Sequence, residues 1–256
     1  MKDKPIAVFD SGVGGISVLR ELYALMPDEN YIYFGDSLNA PYGSKSVKEV
    51  MELSVKNAEM LMDMGAKALV IACNTATSVA ASFLRERYPD FPIIGVEPAL
   101  KPAVLFKENS TVAVMATPIT LREEKFRKLM ESFNSQAKII PVPCEKLAGM
   151  IERGIVEGEE LENYIKELFL PYRDEKIDSV VLGCTHYPFI KKTLKKVFGD
   201  TPLFDGGKGT AKETMRRLSE NDLLNKGIEK GNITFLSSKE SIDEILLYKK
   251  FFYLEA

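Results

Sequence analysis

Two cysteines stand in matching surroundings. Cys73 ends the run Ala68-Leu-Val-Ile-Ala-Cys73 and is followed by Asn74-Thr75, and Cys184 ends Ser179-Val-Val-Leu-Gly-Cys184 and is followed by Thr185-His186. Each time a buried-type strand leads through a small residue to a thiol, then to polar groups, then to a helical pattern. A thiol that closes a strand and opens a helix sits near the positive end of the helix dipole, which favours thiolate. With an ordinary pKa of ~8.5, only ~3% of a free thiol is thiolate at neutral pH. That balance suits a group that must be a base in one direction and an acid in the other. Inverting a carbon stereocentre by proton transfer needs two such groups, one on each face. One cysteine alone reads as a small buried hydrophobe; the matched pair reads as function.

Other residues could serve such a reaction. His186 is the single histidine of the chain and lies two residues past Cys184. It could stabilise a thiolate, assist its protonation or hold a substrate carboxylate. Asp10-Ser11-Gly12-Val13-Gly14-Gly15 follows an apolar run and opens a helical pattern. Its glycines free backbone N–H groups for an anion cradle. The third glycine of a dinucleotide fingerprint is missing, because Ser17 stands there. Asp10 would repel a phosphate and instead suits a substrate ammonium group. In Gly35-Asp36 through Pro41-Tyr42-Gly43, the Pro-Tyr-Gly turn can expose donors to a carboxylate, and Ser46 reads as a helix N-cap. Asn74, Thr75, Thr185 and His186 add amide, hydroxyl and imidazole groups beside the thiols. Cys144 has no polar partner motif and reads as structural.

The elements that must position these groups alternate along the chain. Strands are predicted at 6–9, 31–34, 68–72, 93–96, 111–115, 138–142, 178–182, 202–204 and 232–236. Between them lie helical patterns, such as the stripe Val47, Val50, Met51, Ser54, Val55, Ala58, Leu61 and Met62. Such alternation predicts an α/β fold with mainly parallel sheets and a site at strand C-terminal ends. The cysteines are roughly 110 residues apart, about one domain's length, and Ile6–Ser11 echoes Val112–Thr117. Two similar α/β domains facing each other are therefore expected: 1–97 plus about 205–256, and about 98–204.

Composition narrows the partners. The 256 residues carry a net charge of −3 and are 45% hydrophobic and 28% charged, as in a soluble globular protein. No basic stripe interleaved with aromatics is present, so nucleic acid is not expected. No apolar run reaches the ~20 residues of a membrane span, and the N-terminal run is too short for a signal peptide. Three scattered cysteines with no CxxC argue against disulfides, and with one histidine against zinc. A reducing cytoplasm is the expected compartment.

Together these residues resemble glutamate racemase, of the aspartate/glutamate racemase superfamily. The resemblance rests on Phe9-Asp-Ser-Gly-Val-Gly-Gly15, Gly35-Asp36 through Pro41-Tyr-Gly43, Ala72-Cys-Asn-Thr75, Gly95-Val-Glu-Pro-Ala99 and Leu182-Gly-Cys-Thr-His-Tyr-Pro188. It implies two pseudo-symmetric α/β domains with the site between them, no cofactor and no metal, and D-glutamate supply for peptidoglycan. It implies Cys73 and Cys184 as proton donor and acceptor, Cys73 acting on D-glutamate and Cys184 on L-glutamate. Asp10, Ser11, Tyr42, Gly43, Asn74, Thr75, Thr185 and His186 become substrate contacts, with Asp10 and His186 also assisting catalysis. Glu152, in Ile151-Glu152-Arg153-Gly154, matches a catalytic glutamate of the family. The family's Gly-Thr after the fifth strand is here Ala116-Thr117, so Thr117 and Thr120 are weaker candidate contacts. Some relatives add an N-terminal extension tied to control by a cell-wall precursor. With five residues before the first strand, no such control is expected.

Two rivals stay open: a racemase for aspartate or another acidic amino acid, and a two-lobed module that binds a small ligand without chemistry. A homodimer is among the assemblies open to the chain.

Overall fold

The computed structural model describes residues 1–225, 227 and 229–254, with the backbone only of Lys125. Residues 226, 228, 255 and 256, which the expected first domain includes, lie outside the described residues. Among the described residues nine strands form: β1 (Ile6–Asp10), β2 (Tyr31–Gly35), β3 (Ala68–Ile71), β4 (Ile93–Gly95), β5 (Ser110–Ala116), β6 (Ala137–Pro143), β7 (Ser179–Leu182), β8 (Leu203–Asp205) and β9 (Ile233–Ser237). All nine predicted strands are present, with no end shifted by more than one residue. The helices are α1 (Ile16–Leu25), α2 (Val47–Asp63), α3 (Asn74–Arg87), α4 (Leu100–Leu105), α5 (Pro118–Arg122), α6 (Glu124–Glu131), α7 (Leu147–Glu152), α8 (Glu159–Phe169), α9 (Lys191–Phe198), α10 (Gly207–Glu220) and α11 (Ile242–Tyr253).

The strands build two sheets, in the orders β4-β3-β1-β2-β9 and β6-β5-β7-β8. Every neighbouring pair is parallel. Parallel strands need helical crossovers, which cover both faces, so central strands are apolar throughout. β1 is buried at all five positions. Its side chains alternate: Ile6 and Val8 join one apolar cluster, Ala7 and Phe9 another. The Ile6 and Val8 cluster also contains Ala113, Met115, Val180 and Leu182 of the second sheet. One core thus runs between the two sheets. The opposite faces of β5 and β7 pack Val112, Val114 and Val181 against Phe126 in a third cluster.

Ser46 caps α2 as expected. Its hydroxyl accepts from the Glu49 N–H at 3.3 Å, and the Glu49 carboxylate accepts from the Ser46 N–H at 2.9 Å. The stripe then turns Val50, Ser54, Ala58 and Leu61 into the core, while Val47, in the first turn, stays exposed. Among the described residues no helix is long and apolar enough to cross a membrane.

Candidate active site

β1 and β3 are neighbours in the first sheet, β5 and β7 in the second, and both candidate thiols follow strands at their C-terminal ends. Parallel pairing aligns those ends, so loops far apart in sequence meet there. Asp10 ends β1, and Ser11 to Gly15 form the turn into α1. Cys73 leaves β3 and is the N-cap of α3, where Sγ accepts from the Ala76 N–H at 3.4 Å. The thiol also lies 3.8 Å from Ser11 Oγ. The helix end is as expected, but it does not lower the thiol. Burial pushes the Cys73 thiol up, and the nearby Asp10 carboxylate adds to the rise, outweighing the backbone N–H.

Cys184 follows β7 through Gly183 but does not open an α-helix directly. Pro188 lacks an N–H, and Tyr187–Ile190 form a 3₁₀ turn before α9. Its partner is a side chain instead: Sγ lies 3.4 Å from His186 Nδ1. On the far side of the ring, Nε2 donates to Glu152 Oε1 at 2.6 Å. Burial alone would lower His186, but the Cys184 sulfur and the Glu152 carboxylate carry it well above its usual value. Burial would likewise raise Glu152; His186 and the Val13 N–H hold it below the usual range. Cys184, His186 and Glu152 thus form a relay from thiol to imidazole to carboxylate. Both ring nitrogens of His186 are thus engaged, one by the Cys184 sulfur and one by the Glu152 carboxylate.

The glycine loop does cradle an anion, but one belonging to the protein itself. The Val13 N–H donates to Glu152 Oε1 at 2.9 Å, joining the first-sheet loop to α7. Further bonds cross between the sheets here. Thr185 donates to Asp10 Oδ2 at 2.9 Å, and Ser17 donates to the Thr185 carbonyl at 2.7 Å. Asp10 also accepts from the Gly12 N–H at 2.9 Å. Burial pushes Asp10 up to about 6, against the pull of His186, the Gly12 N–H and the Thr185 hydroxyl, and Glu152 adds to the rise.

The Pro41-Tyr42-Gly43 turn lies beside this cluster. A methyl group on Gly43 would come within 2.8 Å of the Thr117 side chain. Tyr42 is buried, and its hydroxyl donates to Asp36 Oδ2 at 2.6 Å, with the Asn57 amide 3.0 Å away. Its phenol therefore helps to hold the turn in place. Thr75, at the start of α3, forms a hydroxyl triangle with Thr117 and Thr120 at 3.1, 3.2 and 2.9 Å. Asn74, Thr75, Thr117 and Thr120 are all buried beside Cys73. Cys144 is buried too; its thiol donates to the Val142 carbonyl at 3.4 Å.

Sequence reasoning missed Asn57, Ser17 and the partner of the Val13 N–H. Asn57 carried a signal, an amide beside Ala58 within an apolar stripe. The Val13 N–H belongs to the predicted cradle, but nothing in the sequence marks Glu152 as the anion it holds.

This arrangement offers two thiols from different sheets, each with its own proton acceptor: Asp10 near Cys73, and His186 beside Cys184. Known proteins share the frame. A sequence model of the Asp/Glu/Hydantoin racemase family matches residues 16–214. The chain is 53% identical over 250 residues to a glutamate racemase of Clostridium botulinum (strain Alaska E43 / Type E3), covering 97% of each. It superposes on a glutamate racemase of Francisella tularensis solved with D-glutamate, with a TM-score of 0.86, 32% identity, and 100% and 95% of the two chains covered. For an Escherichia coli glutamate racemase solved with L-glutamate and the activator UDP-MurNAc-ala, the TM-score is 0.84, with 30% identity and 97% and 95% covered. With its fold, paired thiols and near-full-length relatives in agreement, the chain belongs to the Asp/Glu/Hydantoin racemase family.

Proposed function

We propose that this chain interconverts L-glutamate and D-glutamate by proton transfer at the α-carbon, with Cys73 and Cys184 as the two acid/base groups. The observation that carries the reading is the pair of buried strand-end thiols from different sheets, each beside a different proton acceptor. A thiolate on one side removes the α-proton, and the thiol on the other returns a proton to the opposite face. Burial makes a thiolate scarce but a stronger base once formed. Asp10 takes up the Cys73 proton, and the His186 imidazole, oriented by Glu152, exchanges a proton with Cys184. Asp10 and Ser11 meet the substrate ammonium group. The Tyr42–Gly43 backbone, Asn74, Thr75, Thr185 and the Thr117–Thr120 hydroxyls meet its carboxylates. Nothing in this scheme calls on a cofactor or metal.

The reading has D-glutamate entering peptidoglycan synthesis, a use that goes with a cytoplasmic enzyme. It takes residues 1–97 with about 205–256 as one domain and about 98–204 as the other, supported by strands β1–β4 and β9 sharing one sheet. A second copy of the chain is the protein partner it allows, and sedimentation velocity distinguishes monomer from homodimer.

Incubation of pure D- or L-glutamate with the protein in deuterated water tests the reading. Loss of optical rotation with deuterium entering Cα is expected. Binding without exchange would leave a two-lobed binding protein, and exchange of aspartate but not glutamate would reassign the substrate.

A further inference from the structure

Gly12 and Gly14 are pressed against residues of the other sheet. A methyl group on Gly12 would overlap the Glu152 carboxylate. One on Gly14 would lie 2.5 Å from His186 Nδ1 and 2.6 Å from Thr185 Oγ1. One on Gly15 points elsewhere, 2.5 Å from Asp10 Cβ. Between the first two, the Val13 N–H holds Glu152 Oε1 at 2.9 Å, the same oxygen that accepts from His186 at 2.6 Å.

We infer that Gly12, Val13 and Gly14, on the Cys73 side of the site, are positioning residues for the Cys184 relay, their bare backbone setting Glu152 and through it His186. The inference rests on the racemase reading above. Its physical content is a chain of contacts in which no side chain of the loop takes part. The Val13 N–H fixes one carboxylate oxygen, that oxygen fixes Nε2, and the ring then presents Nδ1 to the Cys184 sulfur. The missing Cβ atoms at 12 and 14 make the approach possible. Glycine spacing that resembles a phosphate loop is used here for contact between two protein surfaces. A shift of about 1 Å in such a group costs up to about 100-fold in rate.

Racemisation rates cannot reveal a one-sided defect. Enantiomers have equal free energy in water, so every variant must keep the same kcat/KM in both directions. Elimination can reveal it. With a 3-chloro derivative of glutamate, one thiolate removes the α-proton, the electron pair forms the Cα–Cβ double bond and chloride leaves. The enamine tautomerises and water releases 2-oxoglutarate and ammonium. Only the thiol facing that α-proton is used as base, and Cys73→Ser and Cys184→Ser identify which configuration belongs to which.

Gly12→Ala should lose between about 10- and 100-fold more elimination with the configuration served by Cys184 than with the other. Gly15→Ala should show the opposite skew, through Asp10. Shortening the acid should relieve the added methyl, so Gly12→Ala with Glu152→Asp should recover at least about threefold over Gly12→Ala alone, a coupling that independent defects would not give. Gly14→Ala, whose methyl meets the imidazole edge and the Thr185 hydroxyl instead of the carboxylate, carries the test of skew if Gly12→Ala does not fold. Equal losses on both configurations, or no recovery in the double variant, would overturn the inference. Absence of α-proton exchange in the parent would instead overturn the racemase reading itself.

Discussion

Thr185 donates its hydroxyl to Asp10 Oδ2 at 2.9 Å, so the residue after one candidate thiol is tied to the carboxylate near the other. Loops of the two sheets are thereby joined by a side-chain hydrogen bond.

Removing that bond should move a pH limb. Asp10 lies at about 6, and the Thr185 hydroxyl is among the groups pulling it down. In Thr185→Val the carboxylate loses one donor, of order 1–1.5 kcal/mol, and Asp10 should rise by up to about one unit. The acid limb of kcat/KM should shift upward by that amount. An unmoved limb would mean that Asp10 does not set it.

In the parent, kcat/KM should fall tenfold per pH unit below about 6. The sign follows from the role: a raised carboxyl is protonated below its pKa, and a protonated Asp10 neither accepts the Cys73 proton nor holds an ammonium group. The same group binds its proton more tightly folded than unfolded. Its contribution to stability therefore declines as pH rises from about 4 to about 6, where the carboxylate becomes charged in a buried place. A pH profile for Asp10→Asn should lack the limb while running at a much lower rate.

Cys73→Ser and Cys184→Ser should each lower racemisation by about 10²–10⁴-fold, the usual weight of one acid/base group, because a serine hydroxyl is a far weaker acid. Each variant should still consume one configuration of the chloro derivative. Polarimetry and 2-oxoglutarate release report the two activities separately. Near-parental racemisation in either variant would remove that cysteine from the mechanism.

Tyr42→Phe should cost about 1–3 kcal/mol of stability, because Asp36 and Asn57 lose a buried partner. For a chain of this size that lowers Tm by roughly 2–4 °C per kcal/mol. The effect on substrate should appear mainly in KM, through a loosened Pro41-Tyr42-Gly43 turn. Calorimetry that finds Tm unchanged would count against the anchoring role.

The fold was legible because both sheets are parallel and buried. Continuous apolar runs such as Ala68–Ile71 and Ser179–Leu182, bounded by turns, admit little besides strands. The thiols, Asp10, Thr185 and His186 were legible from residue type and position at strand ends. Their charge states were not: the helix terminus at Cys73 was visible, but the burial that outweighs it is a tertiary property. Nor was the anchoring of the Tyr42 phenol, which bonds Asp36 and meets Asn57 on a different element. The Glu152 contact joins residues 139 positions apart through a backbone donor, which no spacing encodes.

The apolar cluster that holds Ile6, Val8, Ala113, Val180 and Cys184 together does not respect the division into two sheets. Each half expressed alone would present the inner faces of its central strands to water and aggregate or stay unfolded. Two co-expressed fragments from a single cut, in the crossing near Pro98 or in that near Gly206, should instead complement each other into one soluble particle. The candidate active site then lies along a seam in a shared interior, held by the packing of both sheets at once.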